Sequence, residues 1–135
     1  MLLALLAGAV MVGATGTWTT LGVVTRGGAE EDGPLVLVMA AGGLILSALQ
    51  VLRRSWWLSL AATLVFGTIL GTGVSDWLDV TEKVPAQMEP SIGSQPEVGW
   101  GLVLVTVAAA LASTLSLGQA GYAALKAIER RTAPP

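Results

Sequence analysis

The side chains able to do chemistry are few in this 135-residue chain, and they lie between its apolar blocks. Histidine and cysteine are absent. Imidazole ligation of haem, thiol–disulfide exchange and zinc ligation by Cys or His are therefore outside its reach. The densest set of potential ligands is Asp76, Asp79 and Glu82, three residues apart, which could hold a hard cation through oxygen. That spacing also describes a solvated helix face, and no compact loop pattern accompanies it. No metal site, cofactor or catalytic residue is expected. Ser and Thr hydroxyls inside the apolar blocks would need a neighbouring base to act as nucleophiles, and no base lies there.

The absence of charge inside those blocks also bears on transport. Proton-coupled carriers need an ionisable relay within the membrane. Small multidrug exporters share the size of this chain, but their buried glutamate has no counterpart. Gly16-Thr17-Trp18-Thr19-Thr20 is faintly similar to the Thr-rich helix break of short fluoride channels, without the surrounding pattern.

The elements that carry these residues are strongly apolar. Hydrophobic residues make up 53% of the chain and charged residues 12%, with a mean hydropathy of +0.73. A soluble domain carries about twice that charged fraction. The net charge of −2 provides no basic footprint for nucleic acid. Four blocks, 2–24, 34–52, 55–74 and 98–125, are each long enough to cross ~30 Å of hydrocarbon at about 1.5 Å per residue. None alternates as a membrane β-strand would, so the expectation is an all-α membrane protein with four transmembrane helices. Residues 1–131 form its single domain, with a frayed tail at 132–135. The first block lacks a basic lead-in and is too long for a signal peptide's apolar region, so it reads as an uncleaved helix. Pro34 suits the first turn of the second helix.

The basic residues orient the helices. Arg53, Arg54, Lys126, Arg130 and Arg131 fall on one side of this topology, and Arg26 and Lys83 on the other. Five against two places both termini in the cytoplasm of a prokaryotic cell. Trp56, Trp57, Trp77 and Trp100 then lie at the interfaces, where indole rings anchor helix ends. Trp18 falls about two turns inside the end of helix one, as a core or contact residue. Between helices three and four, Trp77, Val80 and Val84 share a helical spacing that Pro85 should end. This predicts a short interfacial helix in the outer loop. With the four spans already apolar all round, that face is expected to rest on headgroups or on a partner.

What the blocks do offer is packing. Gly67 and Gly71 form a GxxxG motif, extended by Thr63 four residues earlier. Gly13 lies between Ala9 and Thr17 at the same spacing, and Ala108, Ala112 and Ser116 repeat it in helix four. Helix two offers Ala40, Gly43 and Ser47. Small residues let backbones approach closely, which in lipid replaces the missing hydrophobic drive. Gln50 and Gln119, near helix ends, can reach water or a carbonyl, and Thr106, Ser113 and Thr114 can bond back to their own helix.

Thr17-Trp18 late in helix one, Arg53-Arg54 after helix two, a Trp-bearing outer loop and Gly99-Trp100-Gly101 opening helix four form a layout. It resembles that of the tryptophan-operon-associated four-helix membrane proteins of actinobacteria. The resemblance implies a four-helix membrane fold and brings no activity with it. The expected function is therefore a small non-catalytic membrane protein. It would be an accessory or structural subunit, packed against lipid and against other membrane subunits or copies of itself. The alternative is a channel or carrier component acting as a homo-oligomer along a hydroxyl-lined path.

The orientation has a direct test. In intact cells an impermeant thiol reagent should label Ser91→Cys and spare Ser55→Cys; the reverse pattern overturns the assignment.

Overall fold

The computed structural model of the chain describes residues 1–21, 24–27, 32–53, 55–83 and 97–132. These are mostly helical. The order is α1 (Leu2–Ala14), β1 (Thr17–Leu21), β2 (Val24–Gly27), α2 (Gly33–Leu52), α3 (Trp56–Leu78), a π-helical turn (Asp79–Lys83), β3 (Glu97–Val98) and α4 (Trp100–Thr132). The helices form a ring in which α1 packs on α2, α2 on α3, α3 on α4, and α4 back on α1. The three strands form one antiparallel sheet, ordered β2-β1-β3, at the end of the bundle where α1 finishes and α4 starts.

Three helices are long and apolar enough to cross a membrane: Gly33–Leu52, Trp56–Thr81 and Trp100–Thr132. Pro34 does stand in the first turn of α2. The inward faces follow alternating steps of four and three residues: Leu3, Ala7, Val10 and Ala14 on α1; Val36, Ala40, Gly43 and Ser47 on α2; Ala62, Phe66, Ile69 and Gly73 on α3. That repeat presents one seam to antiparallel neighbours crossing at a shallow angle. The outward faces are apolar as well. Val38 is 72% exposed and Leu64 73% exposed, on helix sides where a water-facing bundle would carry charge.

The first block departs from its expectation. Residues 2–24 do not form one helix. α1 ends at Ala14 after 13 residues, rising about 20 Å, short of the ~30 Å of hydrocarbon. The helix closes on itself as the Gly16 amide donates to Gly13 O at 3.0 Å. Thr17-Trp18-Thr19-Thr20 then extends as a strand, consistent with the stiffness of threonine side chains. Trp18 is fully buried, and its indole Nε1 donates to the same Gly13 carbonyl at 3.1 Å. A carbonyl at a helix end is left without its i+4 amide, and here the Gly16 amide and the indole of the following strand both donate to it.

Two other boundaries move. α3 runs past 74 to Leu78 and passes directly into the π-helical turn, so the segment after 74 continues the helix and is not a separate interfacial one. α4 runs past 125 to Thr132, because Lys126-Ala127-Ile128-Glu129-Arg130-Arg131 are helix-compatible and the last-turn arginines suit the helix dipole. Hydropathy marks where a chain leaves lipid, not where a helix ends. The segment 84–96 and the tail 133–135 lie outside the described residues.

Trp18→Phe keeps an aromatic ring in place, removes the donor and leaves part of the indole's space unfilled. It should lower stability by about 1–2 kcal/mol, from one lost hydrogen bond together with the packing that the smaller ring gives up. Thermal unfolding in detergent, followed by near-ultraviolet circular dichroism, would read it. An unchanged midpoint would show that Gly13 O is satisfied without the indole.

Candidate functional site

Two places combine unusual residues with unusual geometry. The first is the junction between the end of α1 and the start of α4. The Gly99 amide donates to Trp18 O at 2.7 Å. Thr19 pairs with Val98 and Thr20 with Glu97, which ties β1 to β3 immediately before α4. The backbones meet here almost without side chains. A Cβ on Gly101 would lie 2.6 Å from Gly13 O and 2.9 Å from Thr17 O. A Cβ on Gly13 would lie 2.8 Å from Gly101 O, and one on Gly99 would run into Thr17 O. The Trp100 ring covers Gly16, where a Cβ would meet ring carbons at 2.7 Å. Thr17-Trp18 and Gly99-Trp100-Gly101, two separate marks in the sequence, are one contact in space.

The second place is the outer side of α3. Gly67 and Gly71 are exposed, and a Cβ on either would meet nothing within 4 Å. The face of α3 turned into the bundle is a different one, carrying Ser59, Ala62, Phe66, Ile69 and Gly73. The four-residue small faces of the other helices are largely spent inside the chain, although Gly118 and Gly121 further along α4 are exposed. Gly13, Ala108 and Ala112 are buried, as are Ala40, Gly43 and Ser47 on α2. Of the small-residue faces read from the sequence, the GxxxG motif is the one that points outward, flanked by exposed Leu64, Thr68 and Val74.

The tryptophans divide in the same way. Trp56 and Trp57 stand exposed at the start of α3 with their rings stacked 3.9 Å apart. Trp100 is exposed at the opposite end of the bundle. Trp77 is partly buried against the core, and Val80 is only 5% exposed. The sequence left the face of Trp77 and Val80 without a core to enter. The structure provides one, because the π-helical turn folds against β3. Val84 lies outside the described residues. Asp76 and Asp79 are half-buried, and the side chain of Glu82 is outside the described residues.

Between α2, α3 and α4 runs a polar seam. Gln50 Nε2 donates to Ser59 Oγ at 3.1 Å. The Thr63 hydroxyl lies 2.8 Å from Ser59 O and 3.0 Å from Ser116 Oγ, which in turn donates to Ala112 O at 2.8 Å. Gln50 therefore reaches a side chain of the next helix, whereas Gln119 is exposed. Thr106 and Thr114 bond back to Leu102 O and Ala110 O as their positions suggest. Ser113 departs from that pattern: its Oγ is buried with no hydrogen-bond partner among the described residues.

No known family matches this chain, and no curated protein or solved structure shows a match to it. Its function must be argued from its own geometry.

The glycine junction should be intolerant of the smallest addition. Gly101→Ala forces two backbones apart and should cost about 1–3 kcal/mol, the usual range for overpacking. Gly118→Ala and Gly121→Ala, each in open space, should leave the detergent melting temperature unchanged or slightly raised. Equal midpoints for all three variants would remove the junction as a stability determinant.

Proposed function

We propose that the protein is a small non-catalytic integral membrane protein of a prokaryotic cell membrane, acting as an accessory or structural subunit. It packs through α3 against helices of a larger membrane assembly or of its own copies. The observation that carries this reading is the outward placement of Gly67 and Gly71. In lipid, a helix face of small residues is where another backbone can come close enough to gain dispersion contact. Inside the chain, Gly13 meets Gly101 on that principle, and the α3 face offers the same kind of surface with no partner in the chain.

In the topology we propose, α2, α3 and α4 cross the bilayer. α1 enters from the side of the sheet and completes the bundle as a partial fourth helix. The five-to-two excess of basic residues puts Arg53, Arg54 and the end of α4 in the cytoplasm, with the sheet outside and α1 directed inward from it. Trp57 and Trp77 are 20 residues apart on α3, which at about 1.5 Å per residue separates them by ~30 Å, one hydrocarbon thickness. The hydroxyls that a channel would need are bonded to one another and to the backbone in the seam, which favours helix packing over a path.

Gly67→Leu and Gly71→Leu separate assembly from folding, since both positions are open within the chain. Each variant should insert and melt like the wild type. Each should also lose most of the co-purifying subunits or self-association after mild detergent extraction. Leu70→Ala should be milder in this assay. Full retention of partners by both glycine variants would remove the α3 face as an interface.

A further inference from the structure

The far end of the bundle, opposite the sheet, carries a half-open surface cavity of about 210 Å³ lined by Trp56, Ala124, Ala127, Ile128 and Arg131. Its place along the helices follows from their contacts. Thr63 meets Ser116, and Gly73 meets Thr106, so α3 and α4 are antiparallel with a constant register. Continued to the start of α3, that register sets Trp56 opposite Ala123, next to Ala124, and Trp56 and Ala124 both line the cavity. α4 then continues to Thr132, beyond the end of α3, and forms an open wall above Trp56.

The lining has two characters. Ala124, Ala127, Ile128 and Arg131 recur at helical spacing and make one stripe of α4. Three of them are apolar and the last is a cation. The other charged groups of this tail fall on other sides of the helix. Lys126 stands 6.0 Å from the centroid of the Tyr122 ring, away from the stripe, and Glu129 and Arg130 do not line the cavity. A long side chain on a helix leans toward the helix start, so Arg131 inclines toward Trp56. The cavity therefore offers a guanidinium above an indole and a smooth apolar wall. It lies just past the span of α3, which at about 35 Å slightly exceeds the ~30 Å of hydrocarbon.

We propose that this cavity binds one anionic phospholipid. Arg131 holds the phosphate through charge-assisted hydrogen bonds, and the upper acyl chain lies along Trp56, Ala124 and Ala127. Charge complementarity selects this occupant: the one charged side chain in the lining is the Arg131 cation, and no acidic residue lines the cavity beside it. The stacked Trp56–Trp57 pair fixes the depth at which the headgroup sits. The proposal requires that the helices cross a bilayer. It is independent of what packs on Gly67 and Gly71, so Gly67→Leu should keep its lipid.

The test is native mass spectrometry of the full chain, released from mixed micelles containing equal phosphatidylglycerol and phosphatidylcholine. Wild type should retain one phosphatidylglycerol in preference to phosphatidylcholine. Arg131→Gln should lower that preference about fivefold, the equivalent of roughly 1 kcal/mol for one interfacial cation. Lys126→Gln, on the opposite side of the same exposed tail, should change it less than about twofold. Excess inorganic phosphate should not displace the lipid. Equal losses for both variants would reduce the effect to diffuse charge. No preference in the wild type, or displacement by phosphate alone, would overturn the site.

Discussion

The close approach of two backbones, Gly13 to Thr17 on one side and Gly99 to Gly101 on the other, is the constraint on which the rest of the structure depends. It brings the end of α1 against the start of α4 with almost no side chain between them. Contact at that distance exposes carbonyls that must be satisfied, and the indole of Trp18 and the amide of Gly99 do so. The same contact sets β1 beside β3, so the sheet and the helix ring share one corner. A bundle in lipid has little hydrophobic drive to hold its helices together, and it depends on this kind of intimate backbone contact.

From that corner the remaining geometry follows. α4 runs back along α1 and α3, and its small residues Ala108, Ala109 and Ala112 keep the centre narrow. Narrow packing at the centre leaves little room for bulk, and Phe66 finds its place against Gly43. At the far end the seam of Gln50, Ser59, Thr63 and Ser116 links α2, α3 and α4 by hydrogen bonds. Each bond across helices in lipid is worth only about 0.6 kcal/mol on average, so the seam serves register more than stability. With Gly73 close against Thr106 toward one end and the hydroxyl seam toward the other, α3 is held in a fixed rotation. That rotation is what turns Gly67 and Gly71 outward.

Two surfaces remain available to other molecules, and they differ in kind. The side of α3 is apolar and small, suited to another helix. The exposed end of α4, beyond Trp56, mixes apolar stripe and cation, suited to an amphiphile.

The amino-acid sequence by itself determined the class of the protein, the three long apolar helices, the start of α2 at its proline and the tryptophans at the helix ends. These follow from composition and length against a bilayer of fixed thickness, which are local quantities. It could not decide which apolar face of a helix turns inward. In lipid the outside of a helix is as hydrophobic as its inside, so periodicity loses its contrast, and GxxxG looks the same whether it is used within the chain or beyond it. Nor could it end α1 at Ala14, because Thr17-Trp18-Thr19-Thr20 is apolar enough to continue a span. What draws that run into a strand is pairing with Val24–Gly27 just after it and with Val98 and Glu97 far along the chain, and burial of one indole against a helix end. The same distant contact gives Val80 a core to enter. Tertiary structure decided these points because each depends on which backbone lies opposite, and the hairpin partner of β1 is local while its other partner, β3, is not.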